Sequence, residues 1–254
     1  MDTDRIDITY FTDPLCCWSW AFEPQWRKLI FQYKDYVTWQ YCLGGLIPSW
    51  NGFVDHINSV SRPSQMGPVW MHAEKISGMP MPHKIWTLDP PSSSFPACIA
   101  TKCAYLQSPR LGELYLRKAR EFCHLYNKNI SNTIVLYDIA EELATQNNSF
   151  KLDRFHEAFQ GTDGQKSFRF DWEETKRRDV NRFPTLLLKK GDKGTIHISG
   201  YRSYDTLYKA LCYLNPNLQD VRLNSNMSEY REFWGSLIER EELEFRINPE
   251  IQII

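Results

Sequence analysis

The sequence carries no surplus of charge: 30 basic and 31 acidic side chains leave a net −1 over 254 residues. That balance gives no electrostatic footing for nucleic acid or for an acidic membrane surface. No apolar run approaches the length that crosses a bilayer. The opening Met1-Asp2-Thr3-Asp4-Arg5 has neither the basic start nor the apolar stretch of a secretory leader. There is no phosphate-cradling glycine loop and no Ser-His-Asp order. The six histidines are scattered without ligand spacing; of these His72 and His83 are the candidates to face a cleft. No internal repeat, linker or low-complexity segment interrupts the chain. Seven cysteines are an odd number in a chain too long to need disulfide staples. These absences predict a cytoplasmic protein with free thiols and with no metal, nucleic-acid or membrane partner.

What is present is a large apolar fraction, 42% hydrophobic with 14% aromatic residues, ample for a core. It is organised around Phe11-Thr12-Asp13-Pro14-Leu15-Cys16-Cys17-Trp18-Ser19-Trp20. Ile6 to Phe11, β-branched and aromatic, reads as a buried strand. Trp20, Phe22, Trp26, Leu29, Ile30 and Tyr33 follow with the spacing of one helix face, and Pro24 should kink that helix. Cys16 therefore falls where a strand turns into a helix. Unpaired N–H groups and the positive end of the dipole there favour a thiolate, so Cys16 is expected to be the most reactive thiol, with a pKa below about 8.5. Tyr36 to Leu43 is a second strand, ended by Gly44-Gly45, which either stop it or let backbone approach a ligand.

From residue 46 the pattern turns helical. Helices are predicted from about Gln65 to Ser77, Phe95 to Gln107, Ser108-Pro109 onward, Asn132 to Gln146, Leu152 to Phe159 and Gly164 to Arg178. At Val180 it returns to β: Arg182 to Leu188, a turn at Gly191-Asp192-Lys193-Gly194, and Thr195 to Ser199. A helix from Tyr204 to Leu214 follows, then one more from Met227 to about Leu243. The order is that of an α/β thioredoxin-like fold with a large helical insertion between its second and third strands. The expected organisation is 1–46 and 179–214 as core, 47–178 as helical insertion domain and 215–254 as C-terminal helical extension. In that fold a cis-proline opens the third strand opposite the active-site cysteine, and Pro184, just before a three-leucine strand, takes that place.

The motifs Asp13-Pro14-Leu15-Cys16-x-x-Ser19-Trp20, Gly44-Gly45-Leu46, Pro96-Ala97-Cys98, Phe183-Pro184-Thr185-Leu186 and Gly200-Tyr201-Arg202 occur in order over residues 5–214. As an ordered set they resemble the cytoplasmic DsbA-like (FrnE-like) thiol–disulfide oxidoreductases. The resemblance implies that Cys16 is the nucleophile, Pro184 the cis-proline, and Phe183 the residue whose backbone borders substrate. The chain after Pro216 is outside the match. It departs from the family where a second cysteine usually stands, three residues on, which is Ser19 here. A hydroxyl can hydrogen-bond a thiolate but cannot resolve a mixed disulfide. Cys17 cannot replace it, because adjacent helix residues point about 100° apart.

What remains is monothiol exchange at Cys16 and Ser19 on a thiol-containing protein or small-thiol adduct, with glutathione or another low-molecular-weight thiol as co-substrate and no bound cofactor. Cys17, Trp18, Phe183, Gly44 and Gly45 are the expected substrate-binding residues. Two rivals stand beside this reading: a non-catalytic adaptor of the same superfamily, and an enzyme like the kappa-type glutathione transferases, whose site uses serine. Arg182 is a candidate to stabilise the Cys16 thiolate. Cys42, Cys98, Cys103, Cys123 and Cys212 are expected in the core. At least half of the set Trp18, Trp20, Trp39, Trp50, Trp70 and Trp86 is expected there too. Lys176-Arg177-Arg178 reads as a solvated helix face.

Overall fold

The structure is a computed structural model, and it describes residues 5–221 and 223–247. Residues 1–4 of the expected core and 248–254 of the expected extension lie outside the described residues. Strand β1 (Ile6–Thr12) runs parallel to β2 (Val37–Leu43), with Ile6 opposite Val37 and Thr12 opposite Leu43. On its other side β1 meets β3 (Thr185–Lys189) antiparallel, and β4 (Thr195–Ser199) pairs back on β3. The strand order β2-β1-β3-β4 is the thioredoxin-like α/β sheet.

Helices α1 (Cys17–Ala21) and α2 (Glu23–Tyr33) follow β1. The crossover from β2 to β3 holds α3 (Met66–Ser77), α4 (Ile85–Leu88), α5 (Phe95–Tyr105), α6 (Pro109–His124), α7 (Thr133–Gln146), α8 (Leu152–Gln160) and α9 (Asp163–Arg177). After β4 come α10 (Tyr204–Leu214), α11 (Met227–Trp234) and α12 (Glu239–Arg246). The helix starts follow local chemistry. The Ser108 hydroxyl accepts the Leu111 N–H at 3.2 Å ahead of Pro109, and Asn132 accepts that of Ile134 at 2.9 Å. Each such cap stabilises its helix by about 1 kcal/mol. Gly78, at φ +71°, ends α3 in the left-handed conformation that glycine adopts without strain.

Two helices expected as single are each broken in two. The helix after Cys16 stops at Ala21 and restarts at Glu23. Phe22 between them keeps a helical conformation, with backbone bonds from Phe22 to Trp18 and from Trp26 to Phe22, both 3.1 Å. The one-residue break falls where Pro24, lacking an N–H, removes a backbone bond, which is the kink expected of it. The predicted helix over 227–243 is interrupted at Gly235, φ +75°. The break turns α12 back so that it packs on α2.

Apolar side chains gather in two large clusters. One lies among the inserted helices and takes in Leu15, Trp20 and Ala21. The other joins the sheet to α2, α10 and the C-terminal helices through Tyr10, Trp26, Leu207, Tyr230 and Phe245. Between them sits a buried ionic knot. Glu23 on α2 receives Arg27 at 2.9 Å, Arg117 at 3.1 Å and Arg120, the last two from α6. Arg117 also binds Glu121 and, with two nitrogens at 2.7 and 2.9 Å, Glu241 of α12. Every one of these groups is buried. Burial alone would push the Glu23 carboxyl up, but Arg120, Arg27 and Arg117 together hold it below its ordinary value. Such a knot tolerates loss of a member badly, because the remaining charges stay buried and unpaired. Glu23→Gln should therefore destabilise the fold by about 3–5 kcal/mol, read from denaturant midpoints. A change below about 1 kcal/mol, the range of exposed pairs, would show the knot to be dispensable.

Candidate functional site

Asp13 fixes the turn that delivers Cys16. Its carboxylate is wholly buried and accepts the N–H of Leu15 at 2.8 Å, the N–H of Leu46 at 2.7 Å and the Ser94 hydroxyl at 2.8 Å. The Cys98 thiol donates to it at 3.4 Å. One carboxylate thus ties the end of β1, the loop after Gly45 and the start of α5. Burial raises its pKa, and these four donors pull the other way. Asp13-Pro14-Leu15-Cys16 and Pro96-Ala97-Cys98, far apart in sequence, are in direct contact.

Cys16 caps α1: its Sγ receives the Ser19 N–H at 3.4 Å. The Phe183–Pro184 bond is cis, as expected from its place before β3. The Phe183 carbonyl oxygen lies 3.7 Å from Cys16 Sγ, in position to accept the thiol proton. Cys16 packs with Phe11, Cys42, Val180 and Phe183 and is 5% exposed. Burial pushes its pKa up, Ser19 and Arg120 pull it down, Asp13 adds to the rise, and the net shift is upward. The expectation of a depressed thiol pKa is therefore corrected. The largest cause is burial: with 5% of its surface exposed, the thiol has little water to support a negative charge.

Ser19 is fully buried, and its hydroxyl has no hydrogen-bond partner of good geometry. It lies under Cys16 and not on the groove surface. Cys17 is 3% exposed and its pKa stands well above the ordinary value, first through burial and then through Cys16. Trp18 is half-buried, edge-on to His72 at 5.6 Å. A Cβ at Gly44 would overlap the Phe183 ring, and one at Gly45, already at φ +65°, would meet the Phe95 and Phe168 rings. The two glycines thus make room for protein, and the groove floor runs over them.

Cys16, Cys17, Trp18, Gly44, Gly45 and Phe183 all line one groove of about 500 Å³. Pro184, buried, is not among its lining residues. Two features of this groove escaped the sequence reading. The segment 53–58 forms a lip, held by Asp55, which accepts the N–H groups of Ile57 and Asn58 at 3.0 and 3.1 Å. Asp55 at a tight turn was the available signal. Lys176 is the second: Arg177 and Arg178 pair with Glu174 on the surface as expected, but Lys176 turns over the Trp172 ring at 3.3 Å and lines the groove.

The cation that acts on Cys16 is Arg120, brought from the insertion by its bonds to Glu23 and the Thr12 hydroxyl. Arg182 lies over Gly200 at the rim instead. Of the tryptophan set only Trp18 lines the groove. Trp20, Trp70 and Trp86 are buried, with His124 stacked between Trp20 and Trp70. All seven cysteines are free and buried. No helix among the described residues is long and apolar enough to cross a membrane.

A family model described as thioredoxin matches residues 10–209. The ClpXP adapter protein SpxH of Halalkalibacterium halodurans is 30% identical over 201 residues, which are 78% of this chain and 64% of that protein. The chain thus spans less than two thirds of that relative's length. Among solved structures, a candidate protein disulfide isomerase from Nitrosomonas europaea matches with TM-score 0.67 at 18% identity, over 86% of this chain and all of the other. The cytosolic disulfide reductase DsbM of Pseudomonas aeruginosa matches with TM-score 0.59 at 15% identity, over 90% of this chain and 97% of the other. At those identities the structural likenesses show the shared DsbA-like fold alone.

The state of Cys16 is readable as reactivity. Only the thiolate attacks an alkylating reagent, so a raised pKa means slow labelling at neutral pH and a rate that climbs with pH beyond the ordinary value of about 8.5. Labelling of Cys16 in the folded chain should be slower near neutral pH than that of a small free thiol. A rate already at its plateau near neutral pH would show a stabilised thiolate.

Proposed function

Because this chain belongs to the thioredoxin family and carries its DsbA-like form, we propose that it is a protein-binding adaptor, one that holds a client in the groove over Cys16 and delivers it to a ClpXP-type protease. The observation that carries this reading is the hydrogen bonding of Cys16. Its Sγ lies 3.7 Å from the Phe183 carbonyl, an acceptor that a thiol can satisfy and a thiolate cannot. With Ser19 in the resolving position, a disulfide formed at Cys16 would have no thiol one turn away to release it. Similarity to the adapter SpxH agrees with the same reading. On this reading its partners are other proteins and its setting is the cytoplasm, where thiols stay reduced.

Monothiol exchange is the second reading. It is favoured by the Ser19 N–H aimed at Cys16 Sγ at 3.4 Å, a donor that would hold a thiolate once an incoming group displaced the Phe183 carbonyl. Glutathione or another small thiol would then be the co-substrate that frees Cys16. The serine-based chemistry of a kappa-type transferase is disfavoured, because the Ser19 hydroxyl is fully buried away from the groove.

Protein half-lives in the producing cell separate the readings. Removing the chain should lengthen the half-lives of a defined set of proteins, and Cys16→Ala should restore the short ones as well as the wild type does. Half-lives that do not move on removal contradict the adaptor. Restoration that requires Cys16, with mixed disulfides trapped on it, assigns monothiol exchange.

A further inference from the structure

The groove is flanked by two stretches of different chemistry. Along one side run Phe53, Val54, Ile57, Met66, Val69 and Trp18, carried by the lip and by α3, which packs on α1. His56, Asn58 and Asp55 line the lip as well, the Asp55 carboxylate being turned into its own loop by the N–H groups of Ile57 and Asn58 and the Asn58 amide. Val54 and Ile57 are 51% and 68% exposed, large for apolar side chains in a loop whose conformation Asp55 fixes. Along the other run Trp172, Lys176 and Arg182, carried by α9 and the segment leading to β3. α9 packs on α5 and β2, anchored where Asp171 accepts the Leu43 N–H at 2.9 Å and meets Lys102 at 3.0 Å. Lys176 and Arg182 are both exposed, and among the described residues neither is paired with a carboxylate, while Arg177 and Arg178 beside them are. The floor between is backbone and small side chains at Cys16, Gly44 and Gly45.

An extended peptide presents successive side chains to opposite sides. From this charge complementarity and this division of the lining we infer that the groove takes an extended segment of a client protein in which acidic and aliphatic residues alternate, the acids meeting Lys176 and Arg182 and the aliphatics meeting Val54, Ile57 and Val69. The inference rests on the groove being a protein-binding site, as proposed above, and adds what the bound segment must look like. The apolar contacts supply most of the affinity, since exposed ion pairs are weak. The cations select against neutral and basic segments, by attraction and by repulsion respectively.

The test uses the full chain and a fluorescein-labelled peptide of alternating leucine and glutamate, followed by fluorescence anisotropy. The same peptide with glutamine for glutamate, and reduced glutathione as competitor, complete the set. The glutamate peptide should bind more tightly than the glutamine peptide, the advantage should shrink as salt rises, and glutathione should not displace it. Lys176→Glu combined with Arg182→Glu should weaken the glutamate peptide by about tenfold and leave the glutamine peptide unchanged. Ile57→Ser should weaken both. All these positions are exposed, so the variants should fold, which the unfolding transition checks. Equal binding of the two peptides, no binding of either, or displacement by glutathione overturns the inference. Its fate is independent of the half-life experiment: charge-blind binding with altered client half-lives sinks only the segment chemistry, and charge-selective binding with unaltered half-lives sinks only the delivery role.

Discussion

The buried knot around Glu23 is the interaction on which the rest of the architecture depends. Three helices that are distant in sequence meet there: α2 through Glu23 and Arg27, α6 through Arg117, Arg120 and Glu121, and α12 through Glu241. Arg120 then reaches the Thr12 hydroxyl at the end of β1, one residue before Asp13. The insertion is therefore not an appendage on the sheet. Its position and that of the turn bearing Cys16 are set by the same guanidinium. The C-terminal helices share in this: Arg27 donates to the Ser236 carbonyl at 2.7 Å, and the Ser236 hydroxyl to Glu121 at 2.8 Å. A segment outside the family match thus completes the charge balance of the core.

That architecture accounts for the upward pull on the Cys16 pKa. A strand–helix junction predisposes a cysteine to ionise, but the predisposition is a matter of opposing magnitudes. Here the thiol is packed among Phe11, Cys42, Val180 and Phe183, and Asp13 lies close behind. Desolvation outweighs the Ser19 hydroxyl, the Ser19 N–H and one guanidinium at a distance. The same features leave a shaped groove whose floor is Cys16, Gly44 and Gly45, a form that recognition of another chain can use. Loss of the resolving thiol and retention of the binding surface are consistent with each other.

The sheet was legible because its strands are short apolar runs, β-branched and aromatic or leucine-rich, near glycine and proline, and because the element order admits few topologies. Most helices were legible from caps such as Ser108-Pro109 and Asn132. The break at Phe22 was signalled by Pro24, whereas the one at Gly235 was not, since apolar spacing continues across it and says nothing of a turn. At the site, Cys16, Gly44, Gly45 and Phe183 could be placed in one groove from motifs near strand ends. The pKa of Cys16 could not, because it depends on burial that only the packed insertion creates. Lys176 was hidden inside a run of three basic residues, two of which are satisfied by Glu174. The lip over 53–58 carries no periodic pattern, and its order comes from the Asp55 side chain.

The central claim is that Cys16 serves the groove as a neutral thiol and not as a redox nucleophile. Exposure of the reduced, folded chain to glutathione disulfide near neutral pH, followed by intact mass and peptide mapping, tests it most directly. The account predicts that Cys16 stays unmodified over the interval in which the urea-unfolded chain becomes glutathionylated. A rapid, single adduct on Cys16 of the folded chain would contradict it.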